Sequence, residues 1–362
     1  MSHVRRARSA ARLGGAARLG RAAGLAVILP AALLLAACSG STSESSDAAP
    51  TLDTTESVVV YSGRSEDLVA PLLERFTTET GIPVEVRYGD TAELAAQLIE
   101  EGDASSADIY FGQDAGAMGA LDEAGMCAPL PDAISDAVPA VYRSENWTGI
   151  TGRARVIAYD PKQVPVEEVP TSVLQLTDPR WKGQVAIAPT NGSFQAFVTA
   201  MRVAMGDDAT REWLQGMVDN DAQVFEKNSQ IRDAVDAGTA QLGLINHYYW
   251  YQKAAEVGAE NMNVQLAFTE PGDAGTLVNV AGACVIAGSD NPAGGAALVE
   301  WMLEPETQQW FVDETFEYPL VDGVAAPAGV PVLSDVTGPD IALAELEDLP
   351  GTLAMLQDVG LT

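Results

Sequence analysis

Histidine is nearly missing from this chain: two in 362 residues, of which only His247 lies outside the first few positions. A His-rich zinc or copper cage is therefore excluded. A nucleophile–histidine triad has nowhere to form except around His247, and no G-x-S-x-G elbow occurs. The acidic residues are many but show no paired spacing suited to acid–base work, so an enzyme is not expected. Basic residues are also scarce, 20 against 51 acidic, for a net charge of −31. Phosphate backbones repel such a surface, which excludes nucleic acid as a partner. Cysteine is limited to Cys38, Cys127 and Cys284. The longest apolar run, "AAGLAVILPAALLLAA", is too short and Ala-rich for a comfortable membrane span.

That run belongs to the N-terminus. Arg5, Arg6, Arg8, Arg12, Arg18 and Arg21 precede it with no acid among them, the order of a secretory signal over residues 1–37. It ends Leu35-Ala36-Ala37-Cys38, which resembles the lipobox of bacterial lipoproteins and would make Cys38 the lipidated first residue. The plainer reading is an ordinary signal with an incidental cysteine. Residues 38–51, Ser/Ala/Pro-rich and without apolar period, read as a flexible tether. The expected location is extracytoplasmic, held at the cell membrane by the acyl chain. Loss of the leader lowers the 20 basic residues to 14 and leaves the 51 acids, so −31 becomes −37. Acidity suits solubility, and it is compatible with a cationic ligand. In an oxidising compartment Cys127 and Cys284 pair or remain as buried thiols.

The body alternates strand and helix patterns. "SVVVYSG", "IPVEVRYGD" and "ADIYFG" read as strands, separated by amphipathic helices with Ser65 and Thr91 as caps and Gly81 and Gly102 as stops. "RARVIAYD", "GQVAIAP", "AQLGLIN" and "TLVNVAGACVIAG" continue the strands, and "PAGGAALVEWMLEPETQQWFVDET" reads as helix. Such alternation predicts parallel sheet covered by helices, and the length predicts two α/β lobes with a cleft. Open α/β sheets bind ligands at the carboxyl ends of their strands.

Polar residues gather at those ends. "PTNGSF" puts Asn191, Gly192 and Ser193 before a helix, where free amide hydrogens and the dipole favour an anion; a simple cap is the alternative. Arg153 and Arg155, two apart, share one face of a strand, facing a bound anion or nearby acids. "GLINHYYWY" places Tyr248 beside Tyr249. Side chains of adjacent strand residues point apart, so the phenols converge only if the strand ends near Asn246 and a helix begins. With an ordinary pKa of about 10, phenol ligates at neutral pH only where a strong cation displaces its proton, and ferric iron does so. The alternative is an aromatic pair that packs the cleft or grips a sugar ring.

Taken together, "VVVYSGRSEDLVAPLLERFTTETGIPVEV", "AAQLIEEGDASSADIYFGQDAGAMGALDEAGM", "WTGITGRARVIAYDP", "DPRWKGQVAIAPTNGSF", "KNSQIRDAVDAG", "GLINHYYWY" and "EYPL" resemble the periplasmic ferric-ion-binding proteins of ABC iron importers, the bacterial transferrins. The resemblance spans essentially the whole body. It implies a type II periplasmic-binding-protein fold, two lobes joined by crossing strands, with lobe 1 at 52–150 plus 279–330 and lobe 2 at 151–278 plus 331–362. It makes Tyr248 and Tyr249 the phenolate ligands of Fe(III). It assigns Asn191, Gly192, Ser193, Asn228, Asn246 and Arg153 to a synergistic phosphate or carbonate. Partners would be an ABC permease and its ATPase, served by a monomer.

The sequence departs from that family in the first lobe. Where members supply a histidine stands Ser65, followed by Glu66. Where some supply a glutamate stands Gln113, followed by Asp114, and near the "NGS" segment Phe194 stands close to where other members have a third tyrosine. Glu66, Gln113 or Asp114 would then complete an altered ferric site. Otherwise the ligand has changed to a small anionic or organic solute without metal, or, remotely, the chain is a surface hydrolase using His247.

Overall fold

A computed structural model describes residues 54–336 and 338–362. The signal, Cys38 and the tether lie outside them. β-Branched runs form the first strands: β1 Val58–Ser62 and β2 Val84–Tyr88 flank the helix α1 Glu66–Thr80. The stop at Gly81 is a left-handed cap with φ 78°, a conformation glycine adopts without steric cost. Ser65 occupies the cap position of α1 but its side chain makes no capping bond. In α2, Thr91–Glu101, Asp90 is the cap, accepting from the amides of Ala92 and Glu93. Thr91 turns inward instead, donating to Gly63 O at 3.1 Å.

β3 Ile109–Gly112, α3 Ala115–Glu123 and the short α4 Asp132–Ser135 lead to β4, Thr148–Tyr159, longer than its sequence pattern. β5 Val185–Ile187, α5 Gly192–Met205, α6 Asp207–Asp219, β6 Gln223–Val224 and α7 Asn228–Asp236 follow. After them come β7 Leu242–Asn246, α8 Tyr248–Val257, β8 Gln265–Ala267 and β9 Val278–Val285. The long helical pattern near the end divides into α9 Pro292–Met302 and α10 Pro305–Thr315, because proline disfavours the α conformation of the residue before it. β10 Tyr318–Pro319 and α11 Leu349–Asp358 complete the chain.

The strand order is β2-β1-β3-β9-β4-β7-β5-β6, with β8 and β10 also pairing β4. β2-β1-β3 and β7-β5-β6 are parallel groups, and the antiparallel β9 and β4 connect them. β4 carries the connection. Thr148 to Ala154 pair with β9, and Arg155 to Tyr159 with β7. A bulge between Gly149 and Thr151 interrupts the first pairing. This is the two-lobed, type II periplasmic-binding-protein architecture.

Apolar faces of the helices cover both groups. Val69, Leu72 and Phe76 of α1 are fully buried, as are Phe197 and Met201 of α5. Cys127 and Cys284 form a disulfide, Cα atoms 5.6 Å apart, closing a loop across 157 positions. Replacing both by alanine should lower unfolding stability by about 2–5 kcal/mol, read from denaturant midpoints under oxidising conditions. No helix among the described residues is long and apolar enough to cross a membrane.

Candidate functional site

β7 ends at Asn246 and α8 begins at Tyr248, the break in extended geometry that lets neighbouring phenols converge. Their rings stack with centroids 4.3 Å apart. Tyr248 is 4% exposed, Tyr249 half-buried. No hydrogen bond engages either hydroxyl among the described residues, although most buried polar groups find partners. Burial pushes the Tyr248 phenol well above its ordinary pKa, and Tyr249 adds to this, while Arg153 and Arg64 pull the other way.

His247 holds this turn in place. Its main-chain N–H donates to Ala154 O at 3.0 Å, and its Nδ1 accepts from Ala154 N at 3.2 Å. Nδ1 being an acceptor, Nε2–H donates to Phe316 O at 2.9 Å. Both ring nitrogens are satisfied in a neutral imidazole, so His247 is a strut. Burial is the main force lowering its pKa to about 4. Unfolding restores a value near 6.5, so the unfolded state binds more protons between the two. Stability is then full above pH 6.5 and falls as pH drops through about 4, by about 3 kcal/mol in all. Chemical denaturation at pH 7 and pH 4.5 should show a smaller loss for His247→Gln than for the parent.

Around the phenols lie three buried guanidiniums. Arg64, in the turn after β1, makes a two-pronged bond with Glu317 at 3.0 and 2.8 Å. Burial works to lower the Arg64 pKa, but Glu317 and the two tyrosines hold it above its ordinary value. Glu317 also accepts from Thr151 and Thr315 at 3.1 Å each, and Arg153 stands 3.9 Å away. Arg153 donates to Val280 O at 3.0 Å. Arg155 lies at the start of α5: it donates to Asn228 Oδ1 at 3.1 Å, Ser193 Oγ at 3.2 Å and Ser193 O. Burial lowers its pKa to about 9, opposed by Tyr249, so it remains charged near neutrality.

The α5 start is a polar knot. Asn191 caps the helix, accepting from Ser193 N at 3.1 Å and Ser193 Oγ at 2.6 Å. Asn228 Nδ2 donates to Asn191 Oδ1 at 3.1 Å, and Asn246 N donates to Asn228 Oδ1 at 3.3 Å. The sequence-derived anion set thus comes together at Asn191, Gly192, Ser193, Asn228 and Asn246. Arg155, rather than Arg153, is the arginine bonded to it.

Across a cleft of about 410 Å³ stand Gln113 and Asp114, facing Thr190 to Ser193. A Cβ on Gly192 would lie 3.5 Å from Asp114 Oδ2. Asp114 is buried, which raises its pKa, and it caps α3 through Ala117 N at 3.0 Å. Gln113 donates to Gly63 O at 2.7 Å. Glu66 is exposed in the first turn of α1 and is not brought to this cleft. Among the described residues no group of three or more His, Cys, Asp and Glu is placed to hold a metal ion.

Two residues of the site had no assigned role in the sequence, Arg64 and Glu317, and Arg155 was left open with Arg153 as the one facing an anion. Arg155 had a signal in its two-residue spacing from Arg153. Glu317 opens the "EYPL" stretch, but nothing local pairs it with Arg64, 253 positions away.

Two crossing strands between parallel groups, with polar helix starts on either side of a cleft, define a binder of small solutes. The chain belongs to the bacterial extracellular solute-binding proteins, whose family model matches residues 104–338. It is a binding protein and not an enzyme. Among curated relatives it is similar to the Fe(3+)-binding periplasmic protein of Serratia marcescens, 33% identical over 294 residues, covering 80% of this chain and 87% of the relative. Among solved structures it is similar to iron-bound HitA from Pseudomonas aeruginosa, with TM-score 0.80, 31% identity, and coverage of 84% of this chain and 99% of that one. It is also similar to a Trichodesmium protein solved in complex with iron and citrate, with TM-score 0.72, 27% identity, and coverage of 84% and 100%. These relatives agree with the resemblance drawn from the sequence.

Proposed function

We propose that this protein captures ferric iron through Tyr248 and Tyr249, together with a synergistic anion at the α5 start, and delivers it to an ABC permease driven by its ATPase. It works outside the cytoplasm, anchored to the membrane by a lipid on Cys38. The observation that carries this reading is the stacked phenol pair, without hydrogen-bond partners among the described residues, amid Arg64, Arg153 and Arg155. A trivalent cation displaces both phenolic protons, and the guanidiniums favour the phenolate form.

Charge requires the anion. Three buried guanidiniums face one ionised carboxylate, Glu317, and Asp114, whose burial favours its neutral form. Iron against two phenolates adds a further positive charge. Phosphate or carbonate at Asn191, Gly192, Ser193, Asn228 and Asn246, beside Arg155, offsets this excess. Asp114 faces the site across the cleft as an added oxygen donor. Glu66 is too far out for that role, and Gln113 is already bonded to Gly63. The lobes, 52–150 plus 279–330 and 151–278 plus 331–362, close over the ion.

Metal analysis of purified protein with its visible spectrum tests the reading. Iron-loaded protein should be orange to red from phenolate charge transfer. Binding releases protons, so acid reverses it, and colour should fade progressively towards pH 4. Full colour retained at pH 4 contradicts phenolate ligation. Colourless protein that is instead stabilised by an anion alone supports the metal-free reading, which the excess of arginines favours.

A further inference from the structure

β2 is an end strand of the sheet. Val58 N donates to Pro83 O at 2.8 Å, and Gly89 N donates to Ser62 O at 3.1 Å. By alternation, Glu85 and Arg87 also turn their main-chain groups to β1, and Val84, Val86 and Tyr88 turn theirs outward. Among the described residues no strand pairs with that outer edge. The side chains of the same three residues are half-buried and, with Ala70 and Leu73 of α1, line a groove of about 500 Å³. Glu85 and Arg87 project from the other face and are exposed. Glu85 accepts from Ser57 Oγ at 2.9 Å. Arg87 lies over the Tyr61 ring, 5.1 Å from its centre, and 3.7 Å from Glu101, with 52% of its side chain open to solvent.

Natural sheets blunt such an edge with a bulge, a proline or charge of one sign. β2 instead carries one charge of each sign, placed symmetrically about Val86. An antiparallel partner strand forms hydrogen-bonded pairs only where both strands turn their main-chain groups towards each other. With a second copy as partner, pairing Val86 with Val86 meets that condition and also sets Val84 against Tyr88. The same register puts Glu85 directly opposite Arg87, twice over, where opposite charges attract and like charges repel. A slip of two residues either way sets Glu85 against Glu85 or Arg87 against Arg87. Charge therefore selects one register of self-pairing. The apolar side chains on the opposite face then cover one another and close the two grooves.

We propose that the protein self-associates through β2, a second copy continuing the sheet antiparallel about Val86, in place of the monomer that the sequence resemblance implied. In the strand order β2 stands at the opposite end from β7-β5-β6. The contact thus joins the first lobes and leaves β7, with the phenol turn that follows it, at the far end. It does not depend on which ligand the cleft holds.

The test follows the mature chain from residue 38, with Cys38→Ser so that no acyl chain associates the copies, by sedimentation velocity over a concentration series. A reversible monomer–dimer equilibrium is expected. Val86→Pro removes an N–H that the monomer's own sheet does not use and should weaken association by about tenfold or more. Glu85→Arg sets arginine against arginine and should weaken it too; adding Arg87→Glu restores the opposition of charge and should recover it. Val86→Cys brings two thiols across the pair at a Cα separation of about 5.5 Å, within disulfide reach, and should give a covalent dimer on oxidation. A chain that stays monomeric at millimolar concentration overturns the proposal, whether the edge is bare or holds residues 38–53 of the same chain. So does a dimer that Val86→Pro and Glu85→Arg leave unaltered, or a double variant that associates no better than Glu85→Arg.

Discussion

Tyr248→Phe and Tyr249→Phe should each leave the folded protein intact and abolish its colour with iron. The two effects separate because of one observation: neither hydroxyl has a hydrogen-bond partner among the described residues. Removing an unpartnered hydroxyl costs no bond, so Tyr248→Phe should match the parent in thermal stability without iron. In the iron-bound state that oxygen is a ligand. Loss of a supporting partner one layer further out weakens metal binding by about 10–100-fold, and loss of the ligand itself should exceed this. Competition with a chelator of known strength measures the affinity, and the visible spectrum reports the phenolate. A variant that keeps the parent's band would remove the tyrosines from the coordination sphere.

Glu317→Ala should be the most damaging single change to stability near the site. Its carboxylate is fully buried between Arg64 and Arg153. Removing it leaves guanidinium charge in the interior without compensation, a loss of about 3–5 kcal/mol. Denaturant midpoints measure this, and a change below about 1 kcal/mol would mean that water reaches the guanidiniums. Acid should act on the same pair. Burial raises the Glu317 pKa, but Arg64 and Arg153 outweigh it and hold the group below the ordinary carboxylate range. The stability it contributes is therefore complete above that ordinary range and is lost as pH falls through the depressed folded value. The alanine variant should lack this component of acid unfolding.

Much of the architecture was legible because it follows from local patterns. β-Branched runs ending in glycine gave the strands, and three-to-four spacing of leucines gave α1. The tyrosine pair was legible for a sharper reason, since two adjacent phenols make sense together only where a strand stops. The cap of α2 was misplaced by one residue because Asp90 and Thr91 have equally suitable side chains. The packed interior decided between them by drawing Thr91 towards Gly63. The helical pattern of residues 292–315 hid a break at Pro305, whose apolar neighbours on both sides keep the same period.

What the sequence did not disclose is the cationic lining. Arg64 is one residue in a turn, and nothing local says that it meets a glutamate from the far end of the chain. Arg153 and Arg155 could be paired by their spacing, but not told apart in role. That distinction depends on which neighbour β4 has at each position, β9 beside Arg153 and β7 beside Arg155.

The irregularity between Gly149 and Thr151 acquires a meaning from this. Alternation along an extended chain is a matter of parity, and the extra residue sets the parity of everything downstream against β9. Delete it, and the two guanidiniums turn their backs on the tyrosines together. A backbone kink two residues before Arg153 thus chooses which side of the strand is charged.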